Sequence, residues 1–569
     1  MEKIDHDLLI VGSGIAGLRA AIEASRVSNG KLDVAVVTKT HALRAHSVCA
    51  QGGTAAVLRT DEGDSFELHE WDTVKGSDFL ADQDAVELFV KMLPKEILQL
   101  EHWGLPWSRR DDGRLALRPF GGHSWARACF AADKTGFYEM ATLYDTLLKY
   151  DNVSLYEEWF ATSLIVEDHT FKGITAMEMK TGEIYRISAL AGIIATGGAG
   201  RIYRFTTYGH TATGDGMAAA YRAGMPLKDM EFMQFHPTGL VPTGILITEG
   251  ARGEGGHLKN NKGERFMEKY APEKMELAPR DIIARAEMRE IMEGRGYEDP
   301  EGLDYVHLDL THLPPETIYE KLSQIREVAI KFIGLDPLAE PIPVRPVQHY
   351  SMGGINTDTY GATEVKGLWA AGEVSCISIH GANRLGTNST AECLVYGKLT
   401  GEAAAKHAMS ASKPATSERG FDEEERRVLG LLGKSGDENP FEIRRELRAT
   451  MDVKVGVFRD ERGLEEAIKK IRELKKRFEN IRVEDQSGVF NTNLTSVLEI
   501  ENMLDLAEAV ALCALARKES RGAHYRLDCM ERDDKNWLKH SLIRCAPEGP
   551  TIEYVPVTLT KWKPVERKY

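Results

Sequence analysis

The sequence predicts an α/β protein with a discontinuous doubly wound domain, an inserted α+β lobe and a C-terminal helical region. Three hydrophobic segments that end in glycines predict parallel strands: "DLLIVGSGIAG", "SALAGIIATGGAG" and "GLWAAGEVSC". Because long intervals separate them, we expect one domain assembled from distant parts of the chain. Apolar side chains at helical spacing in "GLEEAIKKIRELKKRFENI" predict the C-terminal helices.

The length and charge of the chain limit what it can be. With 569 residues it exceeds one ordinary hydrophobic core, so we expect two or three units. Hydrophobic residues make up 42% and charged residues 28%, which is typical of a soluble globular protein. A formal charge of −15 argues against a nucleic-acid partner. It still permits an anionic small-molecule substrate, because a few clustered cations decide the charge of a local site.

The seven cysteines show no CxxC spacing, so the sequence predicts neither a metal or iron–sulfur site nor a disulfide framework in this chain. This pattern favours a reducing compartment. The beginning, "MEKIDHDLLIVGSG", has no signal-peptide pattern, and no run of about 18 apolar residues predicts a membrane span. Attachment to a membrane through a partner remains open.

Composition also predicts where the units begin and end. We expect the doubly wound domain to occupy residues 1–245 and 346–406, with the inserted lobe at 246–345. The Ser-, Pro- and charge-rich stretch at 407–435 predicts a linker. A helical domain at 436–530 and a C-terminal segment at 531–569 complete the chain.

The turn "GSGIAG" follows the first strand and precedes the first helix, as in a Rossmann-like dinucleotide site. Gly12 permits the tight turn, Gly14 lets the backbone approach a pyrophosphate, and Gly17 allows close helix–strand packing. The amides of the helix N-terminus then face the phosphates. The second strand ends in Thr38 and Lys39, without the acidic residue typical of NAD sites. FAD is favoured, because further glycine segments would enclose a large cofactor.

The motifs that follow are more specific. "RAHSVCAQGGTAAV", "ATGGAG", "GDGMAAA", "MEFMQFHPTGL", "TEGARGEGG", "PRD", "HYSMGGI", "HGANRLGTNS" and "RKESRGAHYRLD" occur in this order. Together they resemble the flavoprotein subunit of succinate dehydrogenase / fumarate reductase, over about residues 5–569 and least clearly at 407–435. The resemblance implies a Rossmann-like FAD-binding domain, an inserted α+β capping domain and a C-terminal helical domain.

The resemblance also implies a set of FAD contacts. His46 matches the histidine that carries the flavin covalently, through the 8α carbon of the ring. Thr390 departs from a contact that is usually a leucine. The full set of expected cofactor residues is Gly12, Ser13, Gly14, Ala16, Gly17, Thr38, Lys39, His46, Ser47, Gln51, Gly52, Gly53, Trp159, Phe160, Ala161, Asp215, Glu373, Ser389 and Thr390.

A dicarboxylate pocket is implied in the same way. His236, Thr248, His349 and Arg384 match the family's carboxylate ligands, and Phe120 is expected to pack over the substrate. These residue types suit the task, because Arg binds a carboxylate through two parallel hydrogen bonds and each His adds a donor.

Arg280 in "LAPRD" matches the family's proton donor and acceptor. An arginine holds its proton tightly, so a general acid of this type needs a means of reprotonation. The resemblance implies a relay through Glu249 and Arg252, and both are present in "TEGARG".

The expected reaction is the interconversion of succinate and fumarate, with hydride transfer to or from FAD. Because the chain lacks cluster-ligating cysteines, electrons would pass to or from an iron–sulfur subunit, with membrane anchor subunits and quinone beyond it. That assembly implies a peripheral position on the cytoplasmic face of the cell membrane. Succinate oxidation and fumarate reduction are both open, as are quinone and soluble thiol electron partners.

Two other functions are considered. An enzyme similar to L-aspartate oxidase would share the fold but hold FAD non-covalently and need no iron–sulfur partner. His46 and the C-terminal "RKESRGAHYRLD" favour the first reading. A non-catalytic flavin-binding subunit is disfavoured, because Arg280, its relay and the carboxylate ligands are all present.

Overall fold

The computed structural model describes residues 2–412 and 418–568. The strands are β1 (Glu2–Val11), β2 (Val34–Thr38), β3 (Thr54–Ala55), β4 (Leu117–Arg118), β5 (Ala128–Cys129), β6 (Val153–Glu157), β7 (Trp159–Glu167), β8 (Thr170–Glu178), β9 (Ile184–Ile194), β10 (Leu227–Lys228), β11 (Met233–Leu240), β12 (His257–Lys259), β13 (Val306–Asp309), β14 (Ile342–Ser351), β15 (Gly354–Asn356), β16 (Leu368–Ala370), β17 (Ser375–Cys376), β18 (Lys539–Arg544) and β19 (Thr551–Pro556). The helices are α1 (Ile15–Ser28), α2 (Phe66–Gly76), α3 (Gln83–His102), α4 (Thr135–Leu147), α5 (Asp215–Arg222), α6 (Glu249–Gly253), α7 (Met267–Tyr270), α8 (Arg280–Glu290), α9 (Pro315–Lys321), α10 (Ser323–Ile333), α11 (Asn388–Ser410), α12 (Arg419–Leu432), α13 (Pro440–Lys454), α14 (Glu461–Phe478), α15 (Thr492–Ala516) and α16 (Asp534–Trp537).

The main sheet has the strand order β6-β2-β1-β9-β8-β7, with β16 also paired to β9. Strand β1 lies parallel between β2 and β9, so that Ile10 is paired with both Val36 and Ile193. The three strands predicted from the glycine-ended segments are therefore confirmed as β1, β9 and β16. Their carboxyl ends meet at one edge, where a doubly wound sheet places its ligand.

Helix α1 covers one face of this sheet and packs against α11, which arrives from a distant part of the chain. Both helices contribute to the same apolar core, for example through Leu18 and Leu394. This contact brings the glycine turn before α1 next to the first turn of α11.

The inserted lobe has a core of its own, formed by buried apolar residues between Leu240 and Val344. Its four-stranded sheet has the order β11-β14-β13-β12. Strands β11 and β14 are the two through which the chain enters and leaves the lobe, and they pair antiparallel. Residues near the predicted boundaries of the lobe are therefore held side by side.

The C-terminal helices follow the predicted pattern. Leu464, Ile471 and Leu474 of α14 are fully buried, which confirms its apolar stripe, and α15 is confirmed as the second helix of the group. The stretch predicted as a linker contains α12, because the apolar residues of α12 are spaced for a helix and pack inward. Residues 413–417 of this stretch lie outside the described residues. The last segment adds β18 and β19 to a sheet that also contains β10 of the doubly wound domain.

Within residues 2–412 and 418–568, no helix is both long and apolar enough to cross a membrane. The same residues contain no cluster of three or more His, Cys, Asp or Glu side chains placed to hold a metal ion. All seven cysteines are unpaired.

Candidate active site

A cleft with about 1870 Å³ of empty space, its open mouth included, lies between the edge of the main sheet and the inserted lobe. Of the residues predicted for cofactor, substrate and catalysis, all line this cleft except Gly17 and Arg252. The structure therefore brings together side chains that the sequence spreads from position 12 to position 390.

The glycine turn forms the floor of the cleft. Gly12 has φ +111°, and a Cβ on it would overlap the carbonyl oxygen of Ala195. A Cβ on Gly17 would overlap the carbonyl oxygen of Gly12, so Gly17 serves helix–strand packing behind the cleft. Gly14 is the N-cap of α1 and offers no side-chain cap to the helix amides. This geometry fits a pyrophosphate, which could accept hydrogen bonds from those amides.

The side chains at the end of β2 form a network of hydrogen bonds and ion pairs. Ser13 donates to Thr38 with an O–O distance of 2.8 Å. The Lys39 ammonium binds Asp215 at 2.7 Å and Glu499 at 2.8 Å. Glu499 lies on α15, so the helical domain contributes directly to this end of the cleft. Burial lowers the pKa of Lys39, but the two carboxylates outweigh this effect and raise it above its ordinary value.

The same end of the cleft is lined by aromatic residues. Trp159, Phe160 and Ala161 stand at the start of β7, and the Lys39 ammonium lies 5.5 Å from the centre of the Phe160 ring. Phe160 is almost completely buried. A flat, apolar group such as an adenine ring fits this surface.

His46 stands on the wall of the cleft in a short helical turn. Its ring stacks on Tyr208, with the ring centres 4.5 Å apart, and its Nδ1 accepts a hydrogen bond from the Gly209 amide at 3.4 Å. Burial and the neighbouring Arg201 lower the pKa of His46 to about 4. The imidazole is therefore neutral at pH 7 and can form a bond through its ring nitrogen.

The loop that follows His46 is held by specific contacts. Ser47 accepts a hydrogen bond from the first amide of α1 at 3.4 Å. Arg118 donates to the carbonyl oxygens of Gln51 and Gly52, at 2.8 and 2.9 Å. Gly53 has φ +124° and so needs to be glycine. The loop is thus fixed against the glycine turn.

Glu373 is a second titratable group in the cleft. It accepts a hydrogen bond from the Ser351 amide at 2.8 Å, and the Tyr208 hydroxyl donates to it. Burial raises the pKa of Glu373 to about 8. Its carboxyl is therefore largely neutral at pH 7 and can donate a hydrogen bond to a ligand.

The end of the cleft nearest the lobe contains donors suited to carboxylates. His236 on β11 and His349 on β14 meet edge to face, with ring centres 5.0 Å apart. The Nδ1 of His236 accepts from the Thr238 amide at 3.1 Å, which assigns the proton to Nε2, and that atom has no partner. Thr248, at the start of α6, contributes a hydroxyl to the same wall.

Arg384 also lines the cleft, close enough to both histidines to lower their pKa. Its guanidinium is buried, 4.2 Å from the centre of the Tyr350 ring, and its Nε has no hydrogen-bond partner. Burial and the neighbouring Arg280 lower the pKa of Arg384 to about 9. Burial and Arg280 also hold the pKa of both histidines well below the ordinary value. An excess of buried cationic groups is the complement of a dianion.

The residues predicted as a proton relay lie side by side. Arg280, the first residue of α8, donates from Nε to Glu249 Oε2 at 2.9 Å. Arg252 lies 3.7 Å from the same oxygen, one turn along α6, behind the cleft wall. Burial raises the pKa of Glu249, but the two arginines outweigh it and hold the value below its ordinary range. Glu249 Oε1 accepts from the Gly121 amide at 2.6 Å.

Phe120 separates the cofactor loop from this pocket. A Cβ on Gly52 would come within 2.9 Å of its ring, and so would a Cβ on Gly386. These two glycines leave room for the Phe120 ring between the predicted flavin loop and the predicted carboxylate ligands. Phe120 lines the cleft, and its packing over the substrate stays a prediction.

Several cleft residues were not predicted from the sequence. Tyr208 stacks on His46, Thr207 lies 2.8 Å from His349, and Gln234 accepts from Arg280 at 3.1 Å. Gln234 precedes His236 by two residues and shares its strand face, so alternation along β11 was an available signal. Glu499 gave no such signal, because only packing of α15 brings it to the cleft.

A doubly wound sheet with a glycine turn at its carboxyl edge, continuous with a cationic pocket, defines an FAD-binding oxidoreductase. The profile of an FAD binding domain matches residues 7–390, and that of the fumarate reductase flavoprotein C-terminal region matches residues 444–569. The chain belongs to the family of fumarate reductase and succinate dehydrogenase flavoprotein subunits.

Individual relatives agree over the whole chain. A fumarate reductase flavoprotein subunit of Mycobacterium tuberculosis is 48% identical, over 99% of both chains. A succinate dehydrogenase flavoprotein subunit of Rickettsia conorii is 43% identical, over 97% of this chain and 95% of the relative. A flavoprotein chain of Escherichia coli quinol fumarate reductase superposes with a TM-score of 0.97 at 45% identity, over 100% of this chain and 99% of that one.

Proposed function

We propose that this chain is the catalytic subunit that interconverts succinate and fumarate at covalently bound FAD. The observation that carries the proposal is the arrangement in one cleft of a dicarboxylate pocket and a buried arginine–glutamate relay beside the His46 loop. FAD, when bound, supplies the acceptor or donor of hydride. The protein residues bind the substrate, orient it and move the proton.

One carboxylate of the substrate would be bound by Arg384 and His349, and the other by Thr248 and the Nε2–H of His236. Thr248, His236 and Arg384 are buried and His349 is partly buried, so little water reaches the groups that would hold the substrate. A dianion in this pocket would also compensate the charge of the buried arginines.

Arg280 would transfer the proton at its guanidinium. Its Nε–H contacts Glu249, which is held ionised, so a proton given to the substrate can be replaced by one that passes from solvent through this carboxylate, and Arg252 lies close to the same oxygen. The adjacent glutamate is what permits an arginine to act as an acid here, since an isolated guanidinium releases its proton with difficulty.

FAD would be held by the glycine turn, the His46 loop, Glu373 and the first turn of α11. We propose a covalent bond from His46, because its neutral ring faces the cleft. We further propose an iron–sulfur subunit as electron partner, with membrane anchor subunits and quinone beyond it, on the cytoplasmic face of the membrane. Quinol fumarate reductase among the structural neighbours supports this assembly.

Two measurements test the proposal. Purified protein, denatured in acid and run on a gel, should keep a fluorescent flavin band, and His46→Ser should lose it. Arg280→Ala should retain FAD but lose succinate–fumarate turnover measured with a dye as electron carrier. A colourless wild-type band together with oxidation of L-aspartate would overturn the assignment in favour of an aspartate oxidase.

A further inference from the structure

A buried carboxyl group outside the substrate pocket has no part in the mechanism above. Glu139, on α4, is completely inaccessible to solvent. Its Oε1 is hydrogen-bonded to the Thr54 hydroxyl, and its Oε2 has no partner. Burial raises the pKa of Glu139 to about 8.

Thr54 connects this carboxyl group to the cleft. Its hydroxyl also lies 2.7 Å from the hydroxyl of Thr390, and either oxygen can be the donor. Thr390 stands in the first turn of α11 and lines the cleft wall. A chain of three side chains, Glu139–Thr54–Thr390, therefore runs from a sealed carboxyl group to the predicted flavin site.

Among the residues that the structure describes, only the hydrogen bond from Thr54 favours the ionised form of Glu139. A buried carboxylate with a single hydrogen bond and no cation is strongly disfavoured, so a neutral acid is expected at pH 7. Two elements packed against α4 carry charged side chains that bind one another: Arg19 on α1 pairs with Glu23 and with Glu96 on α3. Other titratable groups near Glu139 are Cys129 with the neighbouring Arg59, Cys393 with the neighbouring Glu373 and Glu392, and Arg44, His46 and Cys49 in the adjoining turns.

The protonation state of Glu139 decides the direction of the hydrogen bonds in the chain. A protonated carboxyl donates to Thr54, Thr54 donates to Thr390, and the Thr390 O–H then points into the cleft as a donor. An ionised carboxylate accepts from Thr54, which reverses both hydroxyls and presents an oxygen lone pair to the cleft. Neighbouring hydrogen bonds polarise each other, so the reversal is cooperative.

We propose that Glu139 is a positioning residue that sets the hydrogen-bond direction of Thr390, and thereby the reduction potential of FAD in the cleft. The proposal rests on the proposed function, because it requires FAD at this site. Reduction adds electron density to the ring system, which favours a donor at Thr390 and hence protonated Glu139. Where Glu139 is ionised before reduction, the two electrons from an electrode are accompanied by one extra proton, which passes from solvent to its carboxylate.

The test is a spectroelectrochemical titration of the flavin in the purified holoenzyme, from about pH 6 to about pH 9.5. The wild-type potential should fall more steeply once Glu139 begins to ionise, near pH 8. Glu139→Gln is permanently neutral and keeps a donor, so its potential should follow the wild type at low pH and lack the part of the steeper region that Glu139 contributes. Glu373, whose pKa is also about 8, is present in both proteins. At high pH we expect about a tenfold difference in the equilibrium constant for reduction, about 30 mV for two electrons.

Two further variants keep the test decisive if Glu139→Gln fails to fold. Thr390→Val removes the hydroxyl at the cleft and should reduce the steeper region to that of Glu139→Gln, whereas Thr390→Ser keeps the hydroxyl and should retain the wild-type behaviour. Thr142→Val, three residues along α4, removes a buried hydroxyl outside the chain and should behave as the wild type.

Superimposable lines for the wild type and Glu139→Gln would overturn the proposal, as would a steeper region in Thr390→Val as large as that of the wild type. A wild-type protein that binds no FAD would instead overturn the proposed function, and this proposal with it. The two failures are distinguished by the flavin absorbance before the titration begins.

Discussion

Replacing Arg384 by lysine tests the carboxylate pocket most directly. The guanidinium is buried, lies over the Tyr350 ring and has an Nε–H without a partner. Arg384→Lys keeps the positive charge but loses the planar fork that binds both oxygens of a carboxylate. The substitution therefore separates the geometry of binding from simple charge.

The expected loss follows from these contacts. One hydrogen bond to a charged group contributes about 1.5–3 kcal/mol, and the ring contact contributes about 0.5–1 kcal/mol. Their sum, about 2–4 kcal/mol, corresponds to a fall of about 30- to 1,000-fold in kcat/KM. Steady-state rates of fumarate reduction and succinate oxidation, normalised to bound flavin, measure this fall.

Arg345→Lys provides the matched control. Arg345 is a partly buried arginine on β14, the strand that also carries His349, but it does not line the cleft. Its replacement should leave kcat/KM within about threefold of the wild type. A comparably small change for Arg384→Lys, in protein with full flavin content and unchanged thermal stability, would refute the role of Arg384 in binding a carboxylate.

Two other predictions concern the cofactor turn and the C-terminal segment. Gly12→Ala should lower the midpoint of thermal unfolding, because the added Cβ would overlap backbone atoms. Gly14→Ala should fold normally and bind FAD more weakly, because its Cβ would meet only a hydroxyl at 3.2 Å. A greater loss of thermal stability in Gly14→Ala than in Gly12→Ala would contradict the geometry. Burial lowers the pKa of His540, but Asp229 and Asp82 outweigh it and raise the value to about 9. Protonated His540 therefore adds up to about 3 kcal/mol to the free energy of unfolding below about pH 6.5, and this contribution is lost as the pH rises through 9. The difference in unfolding free energy between the wild type and His540→Gln should narrow over that range. A difference that stays constant with pH would contradict this prediction.

Much of the candidate site was accessible from the sequence because its residues stand in short, ordered motifs. The glycine turn, the His46 stretch and the segments that carry His236 and Arg384 all line the cleft as predicted. Two predicted residues do not line it, for the same reason: Gly17 and Arg252 act from the layer behind the wall, through packing and through charge.

Other features had no local pattern to reveal them. Tyr208 beside His46 and Glu499 beside Lys39 join segments far apart in the chain. Glu139 resembles any glutamate on a helix until α4 is docked and its carboxyl group is sealed from water. The helix α12 within the predicted linker was hidden by the Ser- and Pro-rich stretch that precedes it.

The sequence by itself determined the α/β class, the cofactor turn and the kinds of side chain that bind a dicarboxylate, because these depend on spacing and residue type. Tertiary structure alone decided which atoms meet and which groups carry a charge. Strands β11 and β14 pair only when the inserted lobe closes on itself, and that pairing places His236 against His349. Protonation depends on burial and on neighbours from distant segments, and these exist only in the folded chain.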